Sequence, residues 1–408
     1  MMDGTPYARA DRATARWRDR LLALSRAIHA EPETAFAEHA ASAHVADLLT
    51  DAGFAVERGV CELPTALTAA YGEGDLTIGL CAEYDALPEV GHACGHNLIA
   101  ASAAGAAIAL ASVAGELGFR VKLLGTPAEE HGGGKVLMLE RGAFDDVTVA
   151  MMVHPGPTDL TFGGDRTTAA ARFEARFTGR TAHSAKSPHL ALNAGDAAVV
   201  AQVAVGLLRQ QTTPDARISG FVREAGRRTN MIPDLAVLEY EVRAATAEEL
   251  APLTDRVMDC FRGAALATGA DVGIGRTQPD YLDLRQDPWL LRTYEGHLAG
   301  VGRAAAPLPP GSVTASTDMG NVSHALPSIH PHIGVLGCEA TPHNAEFADE
   351  MTTPAADAAL LDAVTLLART GIDLAADAGR RRHYVGLHRS RERHGGLKDT
   401  GQEGRDGR

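Results

Sequence analysis

The sequence predicts an α/β sandwich into which a separate α+β domain is inserted, and three observations carry that expectation. Helical and strand signals alternate through the first half of the chain, as they do where helices cover a sheet. From about residue 166 to 278 the strands turn to strict apolar/polar alternation, the mark of a sheet with one wet face. The first pattern then resumes and ends in a helix around 355–374. At 408 residues with 45% apolar side chains, the chain exceeds one ordinary core and can fill more than one.

The elements follow in order. Ala41, His44, Val45, Leu48 and Leu49 recur at helical spacing until Gly53, which can end a helix. Strand-like runs follow at 65–71 and 76–81. The run 98–114, mostly Ala, Gly and Ser, predicts a helix packed closely against a sheet, too short and too weakly apolar to span a bilayer. A strand at 119–125, a helix near 136–141 and a strand at 147–153 come next; the last is apolar except for Thr148, as in a strand covered on both faces.

Within the insertion, Phe173, Ala175 and Phe177 alternate with Arg172, Glu174 and Arg176, and Leu238, Tyr240 and Val242 with Glu239, Glu241 and Arg243. Helical segments at 190–209 and 248–268 complete it. The expected domains are therefore 1–165 with 279–379, the insertion 166–278, and a final stretch 380–408. That stretch carries nine Lys or Arg, four acids and little apolar content, and is expected to be a mobile basic tail.

Composition narrows the function. A net charge of −14 argues against a surface built for nucleic acid or anionic membrane. Residues 1–20 hold no apolar h-region of a secretory signal. Five scattered cysteines without a C-x-x-C pair fit thiols in a reducing compartment, so a cytoplasmic location is expected.

The densest chemical signal is Cys81 to Pro88 followed by Gly91-His92-Ala93-Cys94-Gly95-His96-Asn97. In extended backbone, positions two apart project to one side, so His92, Cys94 and His96 can present two or three donors together. Thiolate and imidazole suit Zn²⁺ or another late divalent ion; the alternative is a buried cysteine flanked by structural histidines. Glu129 and Glu130 follow the strand 119–125, at a strand end where α/β sheets place active sites. Adjacent carboxylates can divide labour, one binding metal while the other carries protons. His154-Pro155 ends the strand 147–153, and Pro342-His343 lies near another strand, 333–336.

The runs Glu83 to Pro88, Gly91 to Asn97, Gly125 to Gly134, His154-Pro155, Gly179 to Ser184 and Ser316 to His324 resemble, in order over about residues 10–375, the aminoacylase/carboxypeptidase G family of metallopeptidases. Within it they are most similar to the branch of aminoacylase-1-like amidohydrolases and β-alanyl-lysine (Xaa-Arg) dipeptidases. The resemblance implies a mixed-sheet α/β/α dinuclear metallopeptidase domain with an inserted lid and dimerisation domain. It implies two divalent ions per subunit, zinc first, with manganese, cobalt or nickel as alternatives. Cys94 would bridge them, Glu130 and His343 would complete one site, and His96 and His154 the other. Glu129 would be the general base, then acid, and Asp85 would orient a ligand imidazole. His183 would reach a partner subunit's site and donate to the oxyanion, while Asn230 and Arg243 would contact substrate. Arg243 also shares a strand face with Glu239 and Glu241, which leaves a plain ion pair open. Asn97 and the triplet Glu83-Tyr84-Asp85 depart from the auxin-conjugate hydrolase branch.

The implied function is metal-dependent cleavage of the amide in an N-acyl amino acid or small dipeptide-like substrate, by a homodimer with neither nucleic-acid nor membrane partners. A non-catalytic ligand-binding or scaffold protein of the same fold is the rival, and intact Glu129 speaks against it. Gly132-Gly133-Gly134-Lys135 fails as a phosphate loop because Val136 stands where Ser or Thr is needed. No G-x-S-x-G nucleophile elbow is present.

Overall fold

A computed structural model describes residues 4–160, 167–306 and 315–393. The chain forms two compact units. The first opens with α1 (Pro6–Ala30), started by the Thr5 hydroxyl and Pro6, and α2 (His39–Asp51). Strands β1 (Ala55–Arg58), β2 (Leu67–Tyr71) and β3 (Thr77–Glu83) follow, then α3 (His96–Leu117), β4 (Arg120–Thr126), α4 (Gly134–Glu140), β5 (Val149–Met151) and β6 (His154–Gly156). The second unit contributes β7 (Ala169–Thr178), α5 (Ala194–Leu208), β8 (Arg217–Glu224), β9 (Leu235–Ala244), α6 (Ala247–Thr268) and β10 (Asp271–Arg276). Then come α7 (Pro288–Leu298), α8 (Met319–Ala325), β11 (Ser328–Ile329), β12 (His332–Gly334), α9 (Ala345–Glu350), α10 (Pro354–Ala376) and α11 (Ala378–Arg393).

The first unit is α/β around a mixed sheet ordered β1-β2-β4-β3-β5-β11, with β3 parallel to β4 and β5, and β2 antiparallel to β4. Every residue of β3 is buried, as a central strand covered on both faces must be. Helix α3 lies against β3 and β4, and α1 and α10 pack on it in turn. Small residues permit that closeness: a Cβ on Gly105 would come within 2.5 Å of Val364 and 2.9 Å of Leu21. At 22 residues α3 is longer than the sequence suggested, and by length and composition it could cross a membrane. Burial of 83% of its apolar window makes it the core helix of the sheet.

In the second unit, α5 and α6 cover one face of an antiparallel sheet ordered β10-β7-β9-β8. Phe261 of α6 stands edge-on to Tyr240 at 5.0 Å and Phe173 at 5.8 Å, the aromatic centre of that core. The sequence ended this unit at 278, but the chain stays with it to 284. Ala170 pairs with Tyr281, and Leu284 N–H donates to the Thr167 hydroxyl at 2.9 Å. Residues 315–320 also belong to it, with the Ser316 hydroxyl donating to Thr168 O at 2.6 Å.

The basic stretch from 380 is not a mobile tail as far as 393. It continues α11, which buries Tyr384, Val385 and His388. Tyr384 donates to Asp287 at 2.6 Å, and Arg381 reaches Asp75 and Leu117 O. Alternating apolar positions are sparse there, so polar anchoring, invisible to periodicity, fixes the helix. Residues 394–408 lie outside the described residues.

Candidate metal centre

Donors converge where the parallel strands end. β3 runs out through Glu83 toward Asp85, β4 through Thr126 toward Glu129 and Glu130, α3 begins at His96, and β6 begins at His154. Gly95 stands between Cys94 and His96 with φ +76°, and a Cβ there would sit 2.4 Å from Pro155, so only glycine permits this bend. His343 is brought in by its own amide, which donates to Ala93 O at 2.8 Å.

Among the described residues of the first unit, three donor groups result, each with atoms within 4.8 Å of one another: Cys94, His96 and His154; Cys94, Glu130 and His343; and His96, Glu129 and Glu130. Cys94 Sγ lies 3.4 Å from His154 Nε2, and Glu130 Oε1 lies 3.4 Å from His343 Nε2. His154 Nδ1 donates to Pro155 O at 2.7 Å and His96 Nδ1 to Asp85 at 2.9 Å, which leaves each Nε2 lone pair for the centre.

The electrostatics fit cations. Glu83, Asp85, Glu129 and Glu130 crowd one largely buried region. Burial disfavours a charged His96, yet Asp85, Cys94 and Glu83 outweigh it and hold the imidazole well above its ordinary range. Burial would raise Glu130, but His343 and His96 bring it down to about 2. His96 Nε2 and Glu83 Oε2 are buried without a hydrogen-bond partner among the described residues, although they lie 3.5 Å apart. A divalent ion would resolve both the charge excess and those orphaned atoms. The thiolate, imidazole and carboxylate set suits zinc or a late transition metal.

The seven residues expected around the ions, Asp85, Cys94, His96, Glu129, Glu130, His154 and His343, come together. His92 does not join them. Positive φ at Gly91 and Gly95 and the start of α3 at His96 break the extended run on which that expectation rested, and the His92 ring instead lies 6.0 Å from His29. Sequence reasoning missed the buried ion pair of Lys135 Nζ with Glu83 Oε1 at 2.5 Å, although Glu83 and Asp85 stand two apart at a strand end. It also missed His330 and His332, whose rings lie 5.6 and 5.2 Å from that of His154. The only signal was that His330-Pro331 repeats the His154-Pro155 pairing.

In the second unit, exposed His183 accepts at Nδ1 from the amides of Ala185 at 3.3 Å and Lys186 at 3.2 Å. Asn230 O accepts from Ser184 N–H at 3.2 Å in the facing turn. Arg243 donates to both oxygens of Glu241, at 2.9 and 3.0 Å, and to the Ser316 hydroxyl at 3.1 Å.

The profile of Peptidase family M20/M25/M40 matches residues 79–370. The chain belongs to that family. The M20 chain is 37% identical over 373 residues to the Xaa-Arg dipeptidase of Mus musculus, covering 87% of this chain and 86% of that protein. It is 34% identical over 275 residues to one of the two p-aminobenzoyl-glutamate hydrolase chains of Escherichia coli, covering 62% of this chain and 57% of that one. Its fold matches that of a dinuclear metal-binding M20 peptidase of Bacillus subtilis, with TM-score 0.61 and 24% identity, covering 86% and 98%. This M20 protein is thus a hydrolase of amide or peptide bonds.

Proposed function

We propose that the protein is a cytoplasmic, homodimeric, dinuclear metal amidohydrolase that cleaves N-acyl amino acids or small dipeptide-like substrates. The observation that carries this reading is Cys94, shared by two donor groups, with Glu129 beside the centre but needed by neither of those two. Cys94, Glu130 and His343 would hold one ion, and Cys94, His96 and His154 the other. Bound divalent ions would supply Lewis-acid polarisation of the carbonyl and acidify water. Glu129, its carboxylate 4.0 Å from His96 Nε2, takes the proton of the attacking water and returns it to the leaving amine.

His183 suits the oxyanion role. With Nδ1 accepting two amides, the neutral ring carries its proton on Nε2 and can donate there. Among the described residues Arg243 commits three of its five N–H donors, to Glu241 and Ser316, which leaves two for a substrate carboxylate, with Asn230 as a further polar contact. Dimerisation through the second unit is supported by an apolar stripe on α5, where Val199, Val203 and Leu207 are 58%, 57% and 69% exposed, and by the edge strand β8, on which Phe221 is 56% exposed.

The test is turnover of a panel of N-acyl amino acids and dipeptides by protein stripped of metal and then reconstituted. Turnover that appears only with metal supports the reading, and metal-loaded protein inert on the whole panel overturns it.

A further inference from the structure

We propose that Glu38 is a positioning residue for the general base, acting on Glu129 through the backbone amide of Ala128. The proposal rests on Glu129 being the proton carrier.

Glu38 stands immediately before α2 and is completely buried. One carboxylate oxygen accepts the Ala128 N–H at 2.8 Å, and the other accepts the Thr65 hydroxyl at 2.8 Å. Ala128 is the residue that decides where Glu129 points. Its φ is +59°, a left-handed conformation that residues with a Cβ seldom keep without compensation. This turn, just past the end of β4, carries the Glu129 carboxylate to the side of His96. Ala128 is itself fully buried, so its N–H has no water to bond and depends on Glu38.

The segment bearing Glu38 is hydrogen-bonded at the start of α2 and touches the base loop twice. The Glu33 carboxylate accepts the Ala40 and Ala41 amides at 3.0 Å each, closing the start of α2. The Glu33 carbonyl accepts Ala86 N–H at 2.8 Å, next to Asp85. The Phe36 ring fills the space beside Gly132, where a Cβ would come within 2.4 Å of it. The connector from α1 to α2 therefore templates both ends of the loop from Ala128 to Gly132 and the chain beside Asp85. Glu38 belongs to none of the three donor groups, which separates its role from metal binding. Burial and the nearby Asp85 push its pKa up to about 7, so keeping a carboxylate there is unfavourable in itself; its amide and hydroxyl partners work in the opposite direction.

The experiment compares Glu38→Ala, Glu38→Gln, Thr65→Val and Glu129→Gln as metal-loaded full-length enzymes, with elemental analysis beside steady-state kinetics. Glu38→Ala is expected to lower kcat about 10-fold to 100-fold, the scale of a misplaced reacting group, with KM within about 3-fold and metal content unchanged. Glu38→Gln should recover most of the loss, because its amide oxygen still accepts Ala128 N–H while its NH₂ donates to Thr65. A Glu38→Ala enzyme with kcat within about 2-fold of wild type, a loss that merely follows lost metal, or a Gln variant as impaired as Ala overturns the proposal. Should Glu38→Ala not fold, Thr65→Val decides: a several-fold fall in kcat at constant metal supports the positioning role, and unchanged kcat overturns it. Full activity in Glu129→Gln would instead remove the general base itself. An inactive Glu129→Gln beside a normal Glu38→Ala would remove only the role of Glu38.

Discussion

Asp85 binds His96 with one carboxylate oxygen, at 2.9 Å from Nδ1, and with the other accepts the backbone N–H of Glu130 at 3.0 Å. One side chain thus fixes the tautomer of one candidate metal donor and the backbone of a second. Asp85→Ala should weaken metal binding about 10-fold to 100-fold. Competition against a chromophoric chelator measures this, and excess metal should restore part of the activity. An unchanged affinity would leave Asp85 without this role.

Glu129→Gln should retain its metal if, as proposed, Cys94, His96, Glu130, His154 and His343 are the ligands. Its kcat should fall on the order of 10²-fold or more, the usual scale for a lost general base. Elemental analysis alongside kcat checks both halves of the statement.

Cys94 should be the thiol most sensitive to metal removal. Cations hold a ligating thiolate deprotonated and masked from alkylation. Without them, burial and the Glu130 charge push the Cys94 thiol well above its ordinary range. Chelation should therefore expose a protonated thiol whose iodoacetamide labelling rises as pH is raised past the normal thiol range. Peptide mapping with and without chelator reads this out, and equal labelling of Cys94 in both states contradicts the bridging role.

Catalysis should need two subunits if His183 donates across a dimer interface. A Glu129→Gln subunit paired with a His183→Ala subunit forms one complete site. Random pairing of equal amounts makes about half the dimers mixed and restores about a quarter of wild-type activity. Val203→Asp on both chains should abolish that restoration by charging the α5 stripe. Native mass spectrometry showing mixed dimers without recovered activity would confine His183 to its own subunit or remove it from the mechanism.

Glu241 should stabilise the second unit in a pH-dependent way. Burial raises its pKa, but Arg243 and Arg172 outweigh that and lower it from 4.5. A lowered folded pKa means the stabilisation is complete above the unfolded value near 4.5 and disappears as pH falls through the folded one. Glu241→Gln should therefore cost roughly 1 kcal/mol at neutral pH and nothing in strong acid. Urea unfolding at fixed protein concentration across that window measures the difference.

The run from Cys81 to Asn97 and the pair Glu129-Glu130 made a cluster of metal-donor residue types legible because the ends of β3 and β4 are local features. Glycine spacing, apolar periodicity and donor type survive in one dimension. The same locality misled at His92, since treating 92, 94 and 96 as extended ignored the positive-φ glycines at 91, just before them, and at 95, between 94 and 96. It misled again at 380–393, where apolar periodicity is nearly absent and the anchors are Asp75, Leu117 and Asp287, each far away in sequence.

By itself, the sequence determined the α/β class, the alternating strands of the second unit and the residue types able to hold two cations. Only the tertiary structure decided which side chains share a buried region. Glu83 met Lys135, Glu38 met Ala128, and His330 and His332 met His154 across separations that no spacing rule reports. The physical reason is that burial makes an unpaired charge or amide costly, so polar groups find partners wherever packing brings the chain together. Those pairings belong to the fold as a whole, whereas each donor's chemistry belongs to its own residue.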